Sequence, residues 1–86
     1  MPYIKDRGIF DVKINELVKL LTEPEFKPGN LNYVISSLIW KIFSAKPSYT
    51  LANNLIGAIE CVKLEFYRRK VSPYEDEKIK ENGDIE

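Results

Sequence analysis

Apolar residues recur along this chain at helical rather than strand spacing, and the recurrence falls into three runs. Ile14, Leu17, Val18 and Leu21 stand at i, i+3, i+4 and i+7 and predict a first helix over about residues 11–22, with Asp11 as its N-cap. Leu31, Val34, Ile35, Leu38, Ile39, Ile42 and Phe43 predict a second over 30–45, capped by Asn30. Leu51, Leu55, Ile59, Val62 and Phe66 predict a third, from a Ser48 cap to about Lys70. Between them, Pro24, Pro28 and Gly29 mark one connection and Pro47 marks another.

The segment Ser72-Pro73-Tyr74-Glu75 has the form of a capping box with proline at the first helical position. It predicts a short fourth helix over 73–81, stopped at Asn82-Gly83, with an extended tail as the competing reading. The expected fold is therefore all-α: a small bundle of three main helices plus a short C-terminal helix or ordered tail. One domain over 1–86 is expected, with its core in 11–70 and an acidic C-terminal segment over 73–86.

Two of the helices carry more than one stripe. Tyr33, Ser37, Trp40 and Ser44 line the side of the second helix opposite its apolar face, and Asn54, Gly57, Cys61, Leu64 and Arg68 form a mixed second face on the third. Two stripes need two partners, and a chain of 86 residues has few elements to supply them. Gly57 costs about 1 kcal/mol in mid-helix relative to alanine, so a helix crossing closely there is expected. Tyr33, Ser37, Trp40, Ser44, Gly57 and Cys61 are accordingly the candidate interface, and a homo-oligomer is the expected state.

Charge changes this picture little in sum and more in its distribution. The formal net charge is zero, which gives no global attraction to nucleic acid or to anionic lipid, and no sequence-specific nucleic-acid binding is expected. Residues 75–86 nevertheless hold six acidic side chains against two lysines, so the remainder of the chain is mildly basic. No histidine occurs and Cys61 is the single cysteine. That excludes a Ser-His-Asp or Cys-His arrangement, a zinc site of the usual ligands and an intrachain disulfide. No enzyme, metal or cofactor is expected. With no apolar signal core at Met1-Pro2-Tyr3-Ile4 and no run of about 20 apolar residues, the expected setting is cytoplasmic and off the membrane.

The sharpest polar cluster is Tyr67-Arg68-Arg69-Lys70, with Tyr74 following. Guanidinium forks bind phosphate or carboxylate bidentately, and a tyrosine beside them stacks on a base or hydrogen-bonds an anion. These five residues are the candidate ligand site, suited to a phosphate-bearing, nucleotide-type molecule. The structural alternative is that the cations oppose the helix dipole while Glu65 pairs with Arg69 at i, i+4.

The motifs Met1-Pro2-Tyr3-Ile4, Leu31-Asn32-Tyr33, Lys46-Pro47-Ser48-Tyr49, Glu60-Cys61-Val62-Lys63 and Pro73-Tyr74-Glu75-Asp76-Glu77-Lys78 stand together over nearly the whole chain. In this combination the chain resembles a small uncharacterised family of bacterial and phage proteins that ends near Glu-Asn-Gly-Asp. The resemblance implies a stand-alone domain carried by mobile genomes and brings no established activity. Small oligomeric phage proteins that sequester host signalling nucleotides offer an analogy of context and size. Two functions are thus expected to compete: a non-enzymatic oligomeric protein that sequesters a nucleotide-type ligand, and a protein-interaction module using the Tyr33/Trp40 face.

Overall fold

The computed structural model describes residues 6–85, so the Met-Pro-Tyr-Ile opening lies outside the described residues. Its elements are α1 (Gly8–Thr22), α2 (Pro28–Ala45), α3 (Tyr49–Phe66), a π-helical turn (Tyr67–Val71) and α4 (Ser72–Asn82). No strand occurs among the described residues. Over the described residues the chain is all-α, with three helices of which the last is long and joined from pieces. Two compact units divide it, Met1–Pro47 and Ser48–Glu86.

In the first unit, α1 starts at Gly8, three residues before the expected Asp11. Asp11 is not the cap. It sits in the first helical turn, where a carboxylate favours the positive end of the helix dipole, and its Oδ2 lies 3.5 Å from Nε of Arg7. The helix closes where Thr22 Oγ1 donates to the Val18 carbonyl at 2.7 Å and the Glu23 N–H donates to Lys19 at 3.1 Å. The start of α2 also precedes the sequence expectation: Lys27 is extended at the cap, and Pro28 takes the first helical position in place of an Asn30 cap. Proline fits there because its φ is already helical and its missing N–H would have had no partner.

In the second unit, Ser48 caps α3 as expected, its Oγ accepting from the Leu51 N–H at 3.0 Å. The helix does not stop near Lys70. Tyr67, Val71 and Ser72 all keep right-handed helical dihedrals, so the backbone is helical from Tyr49 to Asn82, about 51 Å at 1.5 Å per residue. Ser72 therefore does not form the expected capping box; its own N–H donates to the Tyr67 carbonyl, five residues back. The widened turn has a local cause in Pro73, which lacks an N–H and whose ring would crowd the carbonyl four residues before it in a regular α-helix. Gly83 ends α4 at φ 87° and ψ 157°, a region open only to glycine, with its N–H donating to Ile79 at 2.8 Å.

No described residue is buried. Half-buried apolar positions on the expected stripes are Leu17 and Leu21 on α1, Val34, Ile39 and Phe43 on α2, and Leu51 and Leu55 on α3; Ser37, Ala52, Glu65, Val71 and Ser72 are half-buried as well. The periodic faces are present, and each is still largely open to water.

Candidate functional site

Both candidate groups stand on helices, so their geometry follows from helical spacing. Tyr33, Ser37, Trp40 and Ser44 occur at i, i+4, i+7 and i+11 of α2 and lie along one side of it. Tyr33 is 74% and Trp40 75% exposed, whereas Ser37 between them is half-buried. Tyr33, Ser36, Ser37, Trp40 and Lys41 line an open depression of ≈ 340 Å³. Two large aromatic rings flank small hydroxyl side chains there, an arrangement that offers apolar contact at both ends and hydrogen bonding in the middle. The other candidate interface residues belong to α3. A β-carbon at Gly57 would meet nothing within 4 Å, and Cys61 is exposed, so the close crossing expected there has no counterpart in the described structure.

The second group, Tyr67, Arg68, Arg69 and Lys70, occupies four consecutive positions of the π-helical turn and is distributed around the helix axis. Two of the four converge. Arg68 Nη2 donates to Glu65 Oε1 at 3.0 Å, and Arg69 Nη1 lies 3.7 Å from the other oxygen, Oε2, of the same carboxylate. The Arg69 pairing follows from i, i+4 spacing; the Arg68 pairing, at i+3, adds the second guanidinium. Exposed ion pairs of this kind are individually weak, about 0–1 kcal/mol, so Glu65 orients the two arginines more than it stabilises the fold.

Tyr67 and Tyr74 turn to other partners. The Tyr67 pKa is raised above its ordinary value of 10.0, chiefly by a hydrogen bond to Glu75 and the charge of that carboxylate, with a smaller contribution from Asp76. Tyr74 carries the Lys78 ammonium 5.6 Å from its ring centroid, and Lys78 also pairs with Glu81 at 3.1 Å. Glu75 and Lys78 were not legible as site residues. Eight residues separate Tyr67 from Glu75, a spacing that a regular α-helix turns about 80° out of line.

Among the described residues no group of three or more histidine, cysteine, aspartate or glutamate side chains is placed to hold a metal ion. No helix among them is long and apolar enough to cross a membrane. The described residues thus present exposed aromatic and aliphatic stripes and two arginines gathered on one carboxylate.

No curated protein and no solved structure matches the chain. A family described as a domain of unknown function (DUF6899) matches residues 1–85, nearly the full length, and the chain belongs to that family.

Proposed function

We propose that this is a non-enzymatic, homo-oligomeric interaction protein of the cytoplasm, in keeping with the bacterial and phage setting that its sequence resembles. One observation carries this reading: every long helix bears an apolar stripe, yet no described residue is buried. Apolar area left in water forfeits about 25 cal/mol per Å², and covering it is the main source of stability open to so small a chain. Copies of the chain are the partner always present. The Tyr33/Ser37/Trp40/Ser44 side of α2 supplies aromatic anchors of the kind that dominate protein interfaces. Light scattering from micromolar to millimolar concentration tests the reading; a monomer throughout that range overturns it.

A second reading is favoured by the convergence of Arg68 and Arg69 on Glu65. Two guanidiniums drawn to one carboxylate also define a position for a phosphate, which would displace Glu65 and accept from both. On this reading the protein sequesters a phosphate-bearing, nucleotide-type ligand, with Tyr67, Lys70 and Tyr74 at its edge. Isothermal titration with a nucleotide panel tests it. Binding should tighten in Glu65→Gln, which removes the competing charge, and vanish in the double variant Arg68→Glu/Arg69→Glu; absence of heat with every nucleotide leaves the interaction reading alone.

A further inference from the structure

The unit Ser48–Glu86 contains one helical rod and no second element to cover it. Leu51, Leu55, Ile59, Val62 and Phe66 form its apolar stripe. Ile59, Val62 and Phe66 are 43%, 59% and 62% exposed. In an unbroken α-helix the stripe would end at Phe66, because Tyr74, eight residues on, would stand about 80° round the axis. The π-helical turn contributes one extra residue and rotates everything after it back by about 100°, which returns Tyr74 to within about 20° of Phe66. The Tyr67 pKa agrees with this rotation: Glu75, likewise eight residues on across the same turn, raises it through a side-chain hydrogen bond and its charge.

The re-registered stripe therefore runs from Leu51 to Tyr74, roughly 35 Å. By the same rise α1 is roughly 22 Å long and α2 roughly 27 Å. Neither matches its length. A second copy of the same rod does, and pairing two identical faces is what a two-fold dimer requires. Surface area points the same way. Two separately folded units of half this mass would together expose roughly 6,300 Å². The chain exposes 8163 Å². The excess is well above the roughly 800 Å² per partner of a standard interface.

We propose that a second copy of this chain pairs along the Leu51–Tyr74 stripe, with the π-helical turn setting the phase that carries the contact into α4. This rests on the self-association reading above and places the contact between copies on the rod instead of the Trp40 side of α2. It also assigns the mixed face a different role. Gly57 lies about 160° and Cys61 about 120° from the centre of the stripe, so both point away from the paired copy.

Sedimentation equilibrium on the full chain tests the pairing through three variants, with helix content followed by circular dichroism. Val62→Glu places a charge at the middle of the stripe and should weaken association at least 100-fold. Pro73→Ala removes the cause of the widened turn and keeps every apolar residue of the stripe; the return to α-helical phase swings Tyr74 out of line and should weaken association about tenfold with helix content unchanged. Trp40→Glu should leave association through the rod intact. Oxidation of the unaltered protein should give no Cys61–Cys61 disulfide. If association survives Val62→Glu and Pro73→Ala but is lost in Trp40→Glu, or if Cys61 cross-links readily, the pairing is overturned while self-association stands. A monomer at all concentrations overturns both.

Discussion

Glu75 raises the pKa of Tyr67 across the π-helical turn, eight residues away, a spacing that a regular α-helix turns about 80° out of line. The carboxylate accepts a hydrogen bond from the phenol and also opposes its ionisation, so the neutral form of Tyr67 is favoured when the helix is intact.

The pH dependence follows in sign. A raised pKa means that the contribution of this contact to the helix is fully present below pH 10 and is lost as pH rises through the elevated value. Spectrophotometric titration should find Tyr67 ionising above its ordinary value of 10.0. Glu75→Gln should bring Tyr67 back toward that value, and Tyr67→Phe should remove the late step; an unchanged late step in Tyr67→Phe assigns it elsewhere.

The Ser48 cap offers a direct stability test. Replacing Ser48 by alanine leaves the Leu51 N–H without its side-chain acceptor and should cost about 1 kcal/mol, read as a lower melting temperature with unchanged fold.

At Gly83 the backbone conformation, not packing, is decisive. Nothing lies within 4 Å of a β-carbon built there, yet φ is 87°, so Gly83→Ala should cost about 1 kcal/mol or more by strain alone. The loss should be local, appearing as faster amide exchange in the last turn of α4.

Gly57→Ala is expected to act in the opposite direction. The added methyl enters open space and the helix gains about 0.8–1 kcal/mol of propensity, so melting should rise while association holds. A fall in association instead would show that a copy packs closely against that face.

These sites also mark what the sequence disclosed. Ser48 and Gly83 were legible because each acts through its own backbone, by a side-chain acceptor in one case and a positive φ in the other. Asp11, Asn30 and Ser72 were misread as caps for a shared reason: each has the right side chain, but a neighbouring backbone determines the helix start. Pro28 supplies a preset φ before Asn30. Ser72 lies in a helix already under way, and Asp11 serves the first turn rather than the cap. The apolar stripes could be read from periodicity alone. The Glu75 contact could not, since it depends on a change of helical pitch that leaves no mark in residue spacing.

Seen as a gauge of chain length, the π-helical turn has a further implication. Five residues occupy it, and losing one would convert it to an ordinary α-turn without interrupting the main-chain ladder. Loss of one residue from 67–71 would thus keep the acidic terminal helix in phase with α3, whereas a chain of unchanged length that returned to a regular α-helix would swivel it by about 100°.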